Sequence, residues 1–293
     1  MTILIGAEEV LTRSIPVVAG ALGVGGVAVA AVPARVAARP ALWRRWRTWA
    51  AGAALFLGAL CLGVIGAMVL AVVLGLIATG EYARLARLGR GERAVLGTAA
   101  VLLPPMAFLA YGVPAPRAFD LRFLAVLLVA GVLPAVLSGD SARGGERAAR
   151  TVLGLVWIPV ALSGLVVLHG TAVAVGVAVA FGEVCAWCGG RFLSRLGGGL
   201  ARPLSAHAPD RTWAAVLAAG IGVASGLEVA GCFTVTLWAA VLGGCVVGGP
   251  LVSLLRREAG VEDTRTWLPG VGGLLDRTGS LLVALSLAMV VIL

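Results

Sequence analysis

The chain has 293 residues, 60% of them hydrophobic and only 13% charged, with a mean hydropathy of +1.03. A soluble globular domain is about half apolar and about a quarter charged, so a water-soluble, disordered, fibrous or disulfide-framework protein is excluded. The net charge is +9, from 23 cations against 14 anions, and every cation is arginine. Those arginines lie in short segments between apolar runs, the pattern of positive-inside insertion and not of a nucleic-acid-binding surface. The composition predicts an all-α polytopic integral membrane protein, long enough for about ten spans of about 20 residues.

The N-terminal stretch carries Glu8 and Glu9 where a cleaved signal would carry positive charge, so 15–34 reads as a retained span. A basic segment follows, with Arg35, Arg39, Arg44, Arg45 and Arg47. Residues 49–80 are almost wholly apolar. One helix over that run would be about 48 Å long, against a hydrocarbon core of about 30 Å. Arg84, Arg87, Arg90 and Arg93 come next. If both basic segments face the cytoplasm, an even number of crossings separates them, so 49–80 is predicted to be two spans turning near Gly63–Gly66.

Further spans are expected at about 94–113, 120–138, 151–168, 171–188, 213–229, 231–248 and 275–293. The arginine-bearing connections fall on one side and the short ones, such as His169–Gly170, on the other. That places ten spans in the cell membrane, with both termini outside. The organisation divides as 1–48, an extra span with a basic linker; 49–150, an N-terminal helical part; and 151–293, which holds the polar signature segments.

Several residues invite a function and are better explained without one. Cys185 and Cys188 share a helix face, but a structural zinc site wants four such ligands, so apolar packing is the expectation. Glu228 sits in an apolar run, near the outer end of its span, and reads as an interfacial acid. Trp43, Trp46, Trp49, Trp187, Trp213 and Trp267 flank spans and read as an interfacial aromatic belt.

The longest polar segment, 249–280, reads as a cytoplasmic loop. It holds Ser253, Arg256, Arg257, Asp263, Pro269-Gly270, Gly272-Gly273, Asp276, Arg277 and Ser280. Arginine suits phosphate and aspartate suits Mg²⁺. The generic reading is a phosphate-handling site at the membrane surface, against that of a plain positive loop with a glycine turn.

These residues, at fixed offsets and without a gap, resemble the C-terminal signature of the phosphatidate cytidylyltransferase (CDP-diacylglycerol synthase) family. Three other stretches are similar to that family. They are Glu81-Tyr82-Ala83-Arg84; Ala186-Trp187 with Gly190-Arg191 and Glu183 upstream; and Pro209 with Arg211-Thr212-Trp213. The resemblance covers roughly 49–293.

The resemblance implies transfer of CMP from CTP to phosphatidate or another lipid phosphate, releasing diphosphate, in phospholipid biosynthesis. It implies Asp276, Arg277, Asp263 and Ser253 as catalytic residues. Arg256, Arg257, Arg211, Thr212, Gly272, Gly273, Ser280 and Arg191 would bind substrate. Mg²⁺ would be held by Asp276 and Glu183. The implied partners are CTP, the lipid phosphate and membrane lipids, with no nucleic acid, and a homodimer stays open.

Departures from the signature are also plain. Gly249 and Gly279 stand at two of its Asp positions and Val271 at its His. Glu262 and Asp210 stand at lysines, and Ala214 at a Glu. Both glycines are candidates for positive φ. The departures leave two further readings: a catalytically impaired relative acting as a scaffold or regulator, and a lipid or ion transporter.

Overall fold

The computed structural model describes residues 6–33, 35, 39–109, 121–140, 142–193, 198–205, 208–260 and 273–293. Its helices are α1 (Ala7–Ala31), α2 (Arg39–Cys61), α3 (Gly63–Leu85), α4 (Arg90–Leu109), α5 (Leu121–Leu137), α6 (Gly144–Leu155) and α7 (Ala161–Val167). They continue with α8 (Gly170–Phe192), α9 (Trp213–Val229), α10 (Val235–Ala259) and α11 (Leu274–Ile292). A π-helical turn, Val156–Val160, joins α6 to α7 into one rod. Pro159 sits inside that turn and has no N–H for the helix ladder, so the backbone widens there. The only strands among the described residues are β1 (Pro203–Ser205) and β2 (Ala208–Thr212), a short antiparallel pair before α9. The protein is an all-α polytopic membrane fold. Seven of its rods are long and apolar enough to cross a membrane, and α5 and α9 are shorter apolar helices.

The apolar run 49–80 is divided between two helices, of which α3 but not α2 is among the seven long and apolar enough to cross a membrane. The break falls at Leu62–Gly63, where Gly63 has φ +71°. A left-handed backbone there interrupts the helix at no steric cost to a glycine.

At the arginine-bearing end two helices outrun the apolar runs read from the sequence. α2 begins at Arg39, inside the basic segment expected to be a linker. α10 continues to Ala259, eleven residues past its expected end at 248, so the 249–280 segment is not simply a loop. Arginine and leucine are good helix formers, and nothing in LVSLLRREA breaks the ladder once Pro250 is accommodated. α10 stops at Gly260, whose φ of +69° provides the left-handed C-cap. Of the remainder of that segment, 261–272 lies outside the described residues, and α11 takes up the chain at Leu274.

Small residues set the two tightest helix seams. A Cβ on Gly226 of α9 would lie 2.6 Å from the Cα of Ala178 in α8. One on Gly248 of α10 would lie 2.4 Å from the Cα of Ser280 in α11. Backbones can approach this closely only where a side chain is missing, as is usual between membrane helices. By contrast α1 buries only Val10 and Ser14.

The arginine-bearing segments after α3, α5 and α10 gather at one end of the bundle, whereas Arg13 of α1 lies toward the other. Arg147 of α6 pairs with Glu92 of α4 and with Asp140, which follows α5. Arg150 of α6 pairs with Glu258 of α10 and donates to the Ala86 carbonyl. Arg87, after α3, donates to the Ala259 carbonyl at 3.0 Å, and Tyr82 Oη to the Arg150 carbonyl at 2.6 Å. The Asp140 carboxyl is held below the usual carboxylate range by the Arg143 backbone N–H, aided by the Arg147 side chain. At the opposite end the first turns of α1 and α8 meet, since a Cβ on Gly170 would lie 2.8 Å from the Ala7 Cα. Glu228 is exposed in the last turn of α9, also away from the arginine end.

Candidate active site

A cavity of about 1100 Å³ opens at the arginine end. It has two unlike walls. The polar wall comes from α8, β2, α10 and α11 and carries Glu183, Arg211, Ser253, Arg256, Arg257, Asp276, Arg277 and Ser280. The more apolar lining comes from α1 and α2, with Gly25, Val29, Leu42, Trp46 and Trp49, together with Val184 and Trp187 of α8. Arg45 is the one cation that α2 contributes to the lining. Five arginines against Glu183 and Asp276 give the lining a formal charge of 5 − 2 = +3.

The polar wall is built by helix periodicity. Ser253, Arg256 and Arg257 lie at i, i+3 and i+4 in α10, so they share a face. Asp276 and Ser280 lie at i and i+4 in α11 and share another. The Gly248–Ser280 close approach sets these two faces side by side. Arg256 Nη1 then donates to Asp276 Oδ2 at 3.1 Å. Ser280 Oγ donates to Glu183 Oε1 at 2.7 Å, and Arg211 Nη2 to Glu183 Oε2 at 2.9 Å. The Arg256 Nε is buried without a hydrogen-bond acceptor among the described residues, an orphaned donor on a side chain that also lines the cavity. A buried unpaired donor is costly.

The apolar wall was not among the expected site residues. Trp46 had read as part of an aromatic belt, yet it is fixed in place at the cavity. Its Nε1 donates to the Leu22 carbonyl of α1 at 2.9 Å, and its ring stacks on Trp43 with centroids 4.9 Å apart. A Cβ on Gly26 would lie 2.9 Å from the Trp46 ring, so α1 needs a glycine there. The three-residue spacing of Trp43, Trp46 and Trp49 was the available signal, since it puts them on one helix face.

Eight expected site residues line the cavity: Asp276, Arg277, Ser253, Arg256, Arg257, Arg211, Ser280 and Glu183. Three described ones do not. Arg191 lies over the Trp187 ring, 4.6 Å from its centroid. Thr212 is the N-cap of α9, its Oγ1 accepting from the Ala215 N–H at 3.3 Å. Gly273 precedes α11 as its N-cap. Asp263 and Gly272 lie outside the described residues, as do Glu262 and Val271.

The two glycines at the signature's Asp positions are helical, and neither has positive φ. The left-handed backbone expected for them is therefore corrected: both have ordinary helical backbone and differ in what surrounds them. A Cβ on Gly249 would lie 2.8 Å from Arg211 Nη2, so the guanidinium fills the volume above that glycine. A Cβ on Gly279 would lie 2.7 Å from Val252 Cγ2 and 3.1 Å from the Gly248 carbonyl oxygen.

The donor set bears on metal binding. No group of three or more His, Cys, Asp and Glu side chains converges among the described residues. Glu183 already accepts from Arg211 and Ser280. Such a set fits a divalent cation carried in on phosphate oxygens better than one caged by protein alone.

Comparison with known proteins identifies the lineage. The cytidylyltransferase family model matches residues 43–293, which covers α2 almost entirely and everything after it. The chain belongs to that family. No curated protein matches it. α1 lies outside the matched segment, although it supplies part of the cavity wall.

Proposed function

From this membership in a family of CTP-using transferases of the CDP-alcohol synthase kind, we propose that the chain is a phosphatidate cytidylyltransferase. It would convert CTP and phosphatidate, or a closely similar lipid phosphate, to the CDP-lipid and diphosphate. The observation that carries this reading is the cavity with one arginine-rich wall and one apolar wall. A volume of about 1100 Å³ lies at the top of the usual range for ligand sites, which suits two substrates together. The cationic wall suits the triphosphate and the lipid phosphate. The Trp46, Trp49 and Val29 wall suits the start of the acyl chains, with the rest in the bilayer.

In the reaction, an oxygen of the lipid phosphate attacks the α-phosphorus of CTP. A new P–O bond forms, the α–β phosphoanhydride bond breaks, and diphosphate leaves with the electron pair. Arg256, Arg257, Arg277 and Arg211 would neutralise phosphate charge as it redistributes, with no proton transfer needed to the attacking phosphate. Ser253 would donate a hydrogen bond from the helix face it shares with Arg256 and Arg257. Asp276 and Glu183 would be the carboxylates to hold a Mg²⁺ ion brought in with the triphosphate, which would supply further charge neutralisation. The arginine end would face the cytoplasm, where CTP is found, in keeping with positive-inside insertion.

A second reading has a specific observation behind it. The Arg211 guanidinium sits over Gly249 and holds Glu183, so the position of a signature acid is occupied by a cation. That arrangement favours a member that binds substrate but transfers slowly, as a scaffold or regulator. One experiment separates the two. Purified protein is given labelled CTP, phosphatidate and Mg²⁺, and CDP-diacylglycerol is measured. Product formation supports the enzyme. CTP binding without product, across several lipid phosphates, supports the scaffold.

A further inference from the structure

Glu81, in the last turn-and-a-half of α3, is remote in sequence from every residue of the cavity wall, and it is buried. Its Oε1 accepts from the Leu274 N–H and its Oε2 from the Leu275 N–H, both at 2.9 Å. These are the first two amides of α11. A helix leaves its first amides without internal acceptors, and Gly273, the N-cap residue, has no side chain to serve them. A carboxylate from another helix does so instead, and its charge also complements the positive end of the helix dipole.

We propose that Glu81 is a positioning residue for the transfer site, a role that rests on the reading of that site as a cytidylyltransferase centre. Asp276 and Arg277 directly follow the two amides that Glu81 holds. Ser280, which donates to Glu183, is one turn further on. A displacement of the first turn of α11 is therefore passed at once to the Asp276–Arg256 pair and to Arg277.

The same stretch of chain holds the other helix of the wall. Arg87, six residues after Glu81, donates to the Ala259 carbonyl at the end of α10. Glu81 and Arg87 together fix α11 and α10 to one base. The contact also takes two backbone donors out of play. With the Leu274 and Leu275 amides already engaged by a carboxylate, these two donors are not open to a substrate anion. The guanidinium groups of the wall carry that load.

The test uses the full chain in detergent or nanodiscs, as wild type, Glu81→Gln and Glu81→Asp. Glu81→Gln keeps the shape but replaces one acceptor by an amide NH₂ that opposes a backbone N–H. Hydrogen exchange is followed in the peptide covering 273–280, and CMP transfer is followed against CTP, lipid and Mg²⁺ concentration. The expected result is faster exchange confined to that peptide. With it, kcat/KM for CTP should fall about tenfold or more while KM for the lipid stays within about twofold. Glu81→Asp, which keeps the charge and still reaches an amide, should recover part of the loss. Unchanged exchange at 273–280 in Glu81→Gln would overturn the contact. Faster exchange with wild-type kinetics would overturn the positioning role. If Glu81→Gln does not fold, Glu81→Asp with wild-type exchange and kinetics would also overturn it. A wild type that transfers no CMP would sink the functional reading alone, and the exchange measurement would still decide whether Glu81 holds α11.

Discussion

Gly249 and Gly279 stand at the two positions where the family signature carries aspartates, and the space around them is of opposite kinds. Gly249 faces the cavity, and what would meet a side chain there is the far end of Arg211. A long side chain on β2 can swing away, so this position can be refilled. Gly279 faces α10, and what would meet a side chain there is the Gly248 carbonyl and Val252 Cγ2. Neither can move without parting the two helices that carry Arg256 and Asp276. One loss changes the charge inside the site; the other is part of how the site is held together. Two substitutions that look alike in sequence are therefore not one event, and restoring both acids does not amount to restoring one site.

The sharpest way to break this comparison is Gly279→Asp. The carboxylate would be driven against a carbonyl oxygen in a packed seam, combining overpacking with a buried unpaired charge. A destabilisation of about 3 kcal/mol or more is expected, with loss of monodisperse protein in detergent. Thermal unfolding followed by size exclusion measures it. A Gly279→Asp protein as stable as wild type would show that the seam is looser than its distances imply.

The next largest effect belongs to the acid that remains. Asp276 pairs with Arg256 and lines the cavity. Asp276→Asn removes a charge without adding volume, so the fold should persist while CMP transfer falls about a hundredfold or more. Transfer at the wild-type rate in the folded variant would end the case for a mechanism centred on Asp276.

How much of this could be read from the sequence depends on what each feature is made of. The two-helix division of 49–80 was legible because span length and arginine parity are one-dimensional constraints. The residues of the polar wall were legible because they fall at the fixed offsets of a family signature, although the helices that carry them were read as a loop. The helix ends were not, since hydropathy marks where a membrane stops and not where an arginine-tolerant helix stops. The α1–α2 wall was missed because Trp46 has the same sequence context whether it meets lipid headgroups or the Leu22 carbonyl. Glu81 was noticed as part of a motif, but its task depends on amides nearly two hundred positions away. The reasons for Gly249 and Gly279 likewise lie in neighbours that only the fold supplies.

Gly249→Asp sharpens the comparison from the other side. Its carboxylate would meet the Arg211 guanidinium at salt-bridge range and compete with Glu183 for it. Glu183 would be partly released toward the cavity, giving the site one more available carboxylate. The Mg²⁺ concentration for half-maximal transfer should fall by about threefold to tenfold, within the range expected for a changed ligand environment. Stability should change little. A Gly249→Asp protein with an unaltered Mg²⁺ requirement would mean that Arg211 does not govern the metal response.

The smallest expected effect isolates space from charge. Gly249→Ala adds only a Cβ, and that atom meets Arg211 Nη2 at 2.8 Å, closer than atoms tolerate. The guanidinium has to shift by a few tenths of an ångström, which a long flexible side chain does through small rotations about several bonds. Against that stands the gain of an alanine inside α10, worth up to about 1 kcal/mol over glycine in a helix. The variant should therefore unfold slightly later than wild type and transfer CMP within about twofold of it. Gly279→Ala is the partner measurement, because its Cβ meets Val252 and a carbonyl, and the same helix gain should be outweighed by the strain. If the two alanine variants shift the unfolding midpoint in opposite directions, the distinction between a refillable position and a seam stands on volume alone. If Gly249→Ala instead loses stability as Gly279→Ala does, then Arg211 is locked by Glu183 as firmly as backbone. The cation over Gly249 would then be a fixed part of the wall.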